Sequence, residues 1–483
     1  MASIVSRRRF VLAGLGATAI AALAACAPPP APTAVPPPKA AEPTKPAAAA
    51  VAPAATKPAE VAKPAEKPAT GAAPAVSAPA GAPGAVEVKF HARQGDLARH
   101  FEEYAKRWND KNSKVKIKME TLVATNEYWV KLAALHASKT IGDNVVDISR
   151  FSPGVTFKGI YREIDPYIQA DKFDLAQYFP AAVENGKFEG KQYALPETYQ
   201  FQSVMIYYNR DMFDAAGVKY PDAMNATYDE IVEKATKMTK AADGIFGYAG
   251  APGSHHIHTR SMGGDVLDAE RKKSRLGDPE AIKAAEWIHD LLYKHKVHPT
   301  AEQITSGSDT NMFAGGKVAM LQQTLWTGTF LIPLIANKFK HGAALIPKGP
   351  TGVMGNHSQS DLVSVTANSK FPDDAWQVVK YMTAKDIGIE KVALNAGGPG
   401  ARPDVQSDAG LQEKMIGLKE FQAALKEGRK AFAEPKPWNT RDQEINDAWN
   451  QNMDPIWLNK VTPAEGLKKV HAEVQKVLDK PRP

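Results

Sequence analysis

The residues best equipped for chemistry fall in a few places along the 483-residue chain. His255, His256 and His258 supply imidazoles, which bind zinc. Adjacent histidines point in different directions, and the one cysteine, Cys26, lies more than two hundred residues away. A metal is therefore the lesser expectation, and no cofactor is assigned. With a single Cys, disulfides, thiolate catalysis and Cys–metal sites are excluded from the rest of the chain. Asp143, Asp147, Asp165 and Glu197 could supply the paired carboxylates of a glycan-cleaving site, but nothing singles out a pair. No G-x-G-x-x-G, P-loop, G-x-S-x-G or H-E-x-x-H pattern occurs, which removes the common dinucleotide, NTPase and hydrolase signatures.

The elements that must position such residues begin at Glu87. Val88-Lys89-Phe90 alternates as a strand, and Leu97, Phe101, Tyr104, Ala105 and Trp108 follow at helical spacing. Val115, Ile117 and Met119 alternate with Lys114, Lys116 and Lys118, which predicts a strand with one solvated face. A helix carrying Trp129, Leu132 and Ala133 then starts after Asn126 as its cap, and Val145 to Ile148 forms a short strand. This β-α-β-α-β order predicts an α/β fold with a parallel doubly wound sheet. Ligands of such sheets sit beyond the carboxyl ends of the strands, which points to Arg93-Gln94-Gly95 after the first strand and Arg150-Phe151-Ser152 after the third. Arg150 can donate a bidentate pair to hydroxyls or a carboxylate. Further strands are expected at 204–208, 244–249 and from 316, with helices at 228–239, from 278 and at 373–382. The last fifty residues are expected to be helical, with apolar stripes. Trp108, Trp287, Trp376 and Trp449 lie on such stripes and read as core; Trp129 fits either a core or a ligand role.

Composition separates this region from what precedes it. Residues 27–86 hold 16 of the 36 prolines and 23 alanines, and no aromatic residue or histidine lies between Val11 and Lys89. Such a stretch has nothing to offset the cost of ordering, so it is expected to be a disordered tether. The formal charge of +7 is set mainly outside the folded region: residues 1–26 carry +3 and residues 27–86 carry +2. A concentrated basic patch for nucleic acid is not expected. Residues 1–26 read as a basic start, an apolar run too short to span a bilayer, and a small-residue site. Ser6-Arg7-Arg8-Arg9-Phe10 resembles a twin-arginine export signal, and Leu23-Ala24-Ala25-Cys26 resembles a bacterial lipobox that would lipidate Cys26.

From residue 87 onward an ordered set of segments resembles the extracellular solute-binding proteins of ABC importers, the class that includes maltose-binding protein. These are Asp147 to Pro166, Phe179 to Pro196 (FPAAVENGKFEGKQYALP), Tyr207 to Gly217 (YYNRDMFDAAG) and Gly316 to Met320 (GKVAM). Ile346 to Pro350 (IPKGP), Asn368 to Met382, Pro435 to Trp438 and Thr462 to Leu467 complete it. The resemblance implies a two-lobed periplasmic-binding-protein-like fold, with residues 87–203 and 357–409 in one lobe and 204–356 and 410–483 in the other. It implies capture of a solute, expected to be a sugar or oligosaccharide, and delivery to membrane permease subunits by a monomer held outside the cytoplasm by its lipid. It also implies ligand roles for Trp326 and Trp438 as stacking aromatics, for Tyr199 and Gln200 before a crossing strand, and for the Gly-rich loop at Gly398. Hydrogen bonding to solute is implied for the loop holding His255 and His256. A secreted lipoprotein enzyme acting on glycans is the alternative, and a surface adhesin a third reading.

Overall fold

The computed structural model describes residues 84–94, 96–123, 127–304, 306–394, 397–433 and 436–483. The signal, Cys26, the tether and the Asn126 cap lie outside the described residues. The strands are β1 (Val86–Arg93), β2 (Val115–Leu122), β3 (Asn144–Ile148), β4 (Lys187–Phe188), β5 (Lys191–Gln192), β6 (Ala194–Pro196) and β7 (Gln200–Phe201). They continue with β8 (Met205–Asn209), β9 (Phe246–Ala249), β10 (Val318–Gln323), β11 (His341–Leu345), β12 (Ser358–Gln359) and β13 (Asp361–Val365).

Two sheets organise the chain. The first has the order β2-β1-β3-β13-β6 and the second β11-β8-β10-β9. β1 runs parallel to β2 and β3, as the βαβαβ pattern predicts, but β13 enters antiparallel to β3 and to β6. The first sheet is therefore mixed. Its fourth strand arrives from the second sheet and not through a helical crossover, and local periodicity carries no record of that return. β2 lies at an edge, where its alternating lysines discourage further pairing.

Each sheet buries its own core. Val88, Phe90, Phe101, Tyr104, Val363 and Trp376 pack together on the first sheet, and Ile206, Tyr207, Tyr248, Leu321 and Ala344 lie in the core of the second. A third cluster joins the C-terminal helix Pro463–Leu478 to Leu276 and Ala281. Pro463 at the first helical position and a reciprocal Thr462–Glu465 capping box start that helix, and Thr227 with Glu230 does the same for Tyr228–Met238.

The chain passes between the sheets through β7 and again through β12. These two short strands pair antiparallel, with Phe201 opposite Ser358 and Gln200 opposite Gln359. The Phe432 carbonyl extends the pair by accepting from Ser358 N at 2.8 Å, and Tyr199 N donates to the Pro399 carbonyl on the other side.

Candidate functional site

At the carboxyl ends of β1 and β3, four side chains stack in a row. The Arg93 guanidinium lies 5.7 Å from the Trp129 ring centroid, Trp129 lies 3.8 Å from the Phe151 ring, and the Arg150 guanidinium is 5.7 Å from Phe151. Strand position sets three of these: Arg93 ends β1, and Arg150 and Phe151 follow β3. Trp129 comes from the helix Glu127–Ala137 and is anchored by donating Nε1–H to Asp147. Asp147 also accepts from Tyr161 Oη at 2.8 Å and from Ile148 N at 2.7 Å. Burial pushes the Asp147 carboxyl up to about 6, with these hydrogen bonds opposing the rise.

Arg150 is exposed and reaches across to Asn446 on the helix Asp442–Trp457. It also faces His256 and His357, whose rings are hydrogen-bonded Nε2 to Nδ1 at 2.9 Å. Burial, reinforced by Arg260 and Arg150 nearby, holds both imidazoles well below their usual range. They are neutral at pH 7, so the pair offers one N–H donor and one lone pair to a polar ligand. Trp449 stands edge-on to His256 at 6.2 Å.

The crossing strands add a third wall. Along a strand successive side chains point to opposite faces, so in β7 Gln200 and Phe201 point to opposite sides, and Gln202 follows in a turn. Tyr199 is 2% exposed and packs on Phe179 and Phe201, so its side chain belongs to the core and not to the polar face expected for it. Gln200 Oε1 accepts from Trp326 N at 3.0 Å, and the Gly398 backbone lies against the Gln200 amide: a Cβ there would come 3.3 Å from Nε2. Gln200, Trp326 and Gly398 are thus brought together. The Trp326 ring is 39% exposed and meets Phe330 edge-on.

His255 and His256 occupy the helix His255–Ser261 and not a loop. One residue turns a helix by about 100°, which sends His255 to the Ala281 carbonyl at 2.8 Å, away from His256 and the space before Arg150. Among the described residues no group of three or more His, Cys, Asp or Glu side chains is placed to hold a metal ion. Gln94 is exposed at the end of β1, its N–H bonded to the Leu122 carbonyl. Trp438 is half-exposed and stands apart from Trp326, beside Pro153, Asn185 and Phe188. The four acidic residues considered for glycan cleavage are each engaged elsewhere. Asp143 accepts from Lys89 N and Ser369, Asp147 from Trp129, Asp165 from Gln192 N, and Glu197 from Lys391.

Strand-end position pointed to Arg93, whereas sequence reasoning missed His357, Gln202 and the placement of Trp449. Gln202 is 8% exposed and its Nε2 has no protein partner, an unusual state for a buried amide and one a ligand acceptor would relieve. Nothing local marked His357, because its partner His256 is 101 residues away.

A family model described as bacterial extracellular solute-binding protein matches residues 94–389. A binding protein of Brucella abortus is 27% identical over 407 residues, covering 82% of this chain and 94% of its own length. Among solved structures, the Listeria monocytogenes ABC substrate-binding protein in complex with cycloalternan superposes with a TM-score of 0.71 at 19% identity, covering 82% of this chain and 99% of that one. A maltose-bound T. maritima protein gives 0.69 at 20% identity, covering 81% and 100%. The fold is that of two-lobed periplasmic binding proteins.

Proposed function

The chain belongs to the bacterial extracellular solute-binding protein family, and from that premise we propose that it captures a sugar or oligosaccharide against the Arg93–Trp129–Phe151–Arg150 row and hands it to an ABC importer. It is a solute-binding protein of ABC transport that works outside the cytoplasm. The observation that carries the sugar reading is that row. Aromatic faces pack against the C–H face of a pyranose ring while flanking guanidiniums donate to its hydroxyls. The neutral His256–His357 pair and the unpartnered Gln202 amide supply hydrogen-bonding groups that suit the hydroxyls of a sugar. Gln200, Trp326 and Gly398 extend the same surface along the crossing strands. The solved proteins of this fold described above hold cycloalternan and maltose, which favours a carbohydrate here as well.

The binding step is hinge closure. β7 and β12 are short and lie between the two sheets, so small dihedral changes there move one half against the other. Arg150 of the first half already touches Asn446 of the second, which is the contact a bound solute would reinforce. Lipidation at Cys26, followed by the Ala/Pro tether, would keep the receptor at the membrane near its permease.

A thermal-shift screen of the full chain against sugars, polyols, amino acids, peptides and divalent metals tests this. A ligand at a hundredfold excess over Kd stabilises by ~2.7 kcal/mol. A shift confined to one saccharide class, lost in Phe151→Ala and without turnover of the sugar, is expected. A shift with amino acids or metals alone would replace the carbohydrate reading.

A further inference from the structure

Arg271 and Ala433 border two adjoining cavities. One is lined by Trp438 together with Pro153, Glu184, Asn185, Phe188 and Glu189. The other is lined by Arg260, Arg275, Lys430 and Phe432. Together they form a groove with an exposed tryptophan at one end and a cationic floor at the other.

The groove's acids are engaged by the protein itself: beside Trp438, Glu184 pairs with Lys187 at 2.8 Å and Glu189 with Arg482 at 2.6 Å. Asp265 accepts from Arg260 Nε at 2.9 Å and from Val266 N, and Asp268 accepts from the backbone N–H groups of Lys272 and Lys273. Arg275 pairs with Asp278 at 2.6 Å. Two cations bear on one ring: the Arg260 guanidinium is 5.1 Å from the Phe432 centroid and Lys430 Nζ is 4.4 Å from it. Among the described residues Arg271 and Lys430 form no ion pair with a carboxylate. Arg271 also has φ +58°, a conformation that favours glycine, in a turn closed by its own N–H to the Asp268 carbonyl. A long cationic side chain held in a strained backbone state at the junction of two cavities is a reason to look for a ligand there.

We propose that this groove is a saccharide subsite for an acidic sugar, with a pyranose ring on Trp438 and its carboxylate or sulfate against Arg271 and Lys430. A flat indole face orients the ring, and a guanidinium forks onto a planar carboxylate, so the two ends recognise parts of one molecule. The proposal rests on the carbohydrate reading above and names its class: an oligosaccharide carrying an anionic group.

The test is isothermal titration of the full chain with matched disaccharide pairs, one neutral and one ending in a uronate (galactobiose and digalacturonate; cellobiose and cellobiouronate), with sodium sulfate as the free-anion control. At least one acidic member is expected to bind tenfold or more tightly than its neutral partner. That preference should fall at least fivefold in Arg271→Ala and in Lys430→Ala, and shrink between 50 and 500 mM NaCl, because it is electrostatic. Trp438→Ala should weaken the acidic sugar without abolishing its preference over sulfate. Equal binding of acidic and neutral members, or a preference that survives Arg271→Ala, overturns the subsite and leaves the carbohydrate function standing. Sulfate competing as well as the uronate would make the groove a free-anion site and overturn its saccharide half. Failure of every saccharide to bind overturns both readings. Far-ultraviolet circular dichroism of each variant separates these outcomes from misfolding.

Discussion

Lys391 Nζ lies 2.6 Å from Glu197 Oε2, with both side chains 1% exposed. Asp361 stands 3.5 Å from the same ammonium. Glu197 follows β6 and Asp361 opens β13, so one buried cation ties the two points where the chain leaves and re-enters the first sheet. Burial pushes Glu197 up to about 7, with Lys391 opposing and Asp361 adding to the rise. Lys391→Met strands a carboxylate in the core and should cost about 3–5 kcal/mol of unfolding free energy, measured by urea denaturation. The double variant Lys391→Met/Glu197→Gln should recover much of that loss.

Stability should fall on mild acidification. Burial lowers His255 and His258 to about 4, against 6.5 in the unfolded chain. Groups with depressed folded-state values contribute fully above 6.5, and the contribution is lost as the pH drops towards 4. Glu197, at about 7, and Asp147, at about 6, act with the opposite sign, because the folded state holds their protons more tightly. His91, His256, His298 and His357 are also lowered, so the histidines prevail. The melting temperature should drop between pH 6.5 and 4.5 in a calorimetric series, and Glu197→Gln should steepen the drop by removing an opposing group.

Trp326→Ala should lower solute affinity at least tenfold, as judged by titration. The ring is 39% exposed and makes one ring contact, with Phe330, so the melting temperature should change little. A large loss of stability with unchanged affinity would assign Trp326 to the core instead.

Arg482, beyond the C-terminal helix, pins the β4–β5 hairpin. Its guanidinium sits 4.8 Å from the Phe157 ring and 5.5 Å from Phe188, and Nη1 is 2.6 Å from Glu189 Oε1 on the β4–β5 hairpin. Arg482→Ala should speed solute release a few-fold and enlarge the radius of gyration in small-angle scattering. Partly exposed pairs are worth about 1 kcal/mol or less, so global stability should hardly move.

Gly355 has no room for a side chain: a Cβ there would come 1.9 Å from the Ile257 carbonyl oxygen. Gly355→Ala must displace either the strand-crossing segment or the helix carrying His256. It should therefore cost about 1–3 kcal/mol and disturb the His256–His357 pair, visible in imidazole chemical shifts.

The sequence alone determined what depends on neighbours along the chain. Alternation placed β1 and β2, a short apolar run placed β3, helical spacing placed the Phe101–Trp108 face, and strand-end position put Arg150 and Phe151 at the carboxyl end of β3. These signals are local, because a strand's period and a helix's turn are fixed by backbone geometry. The antiparallel entry of β13, the meeting of His256 with His357, the burial of Tyr199 and the charge triad around Lys391 depended on which distant segments pack together. Lys391 and Glu197 are 194 residues apart, and no periodicity reports on such a pair. Only the tertiary structure decides it, because desolvation makes each of these two charges costly until the other is beside it.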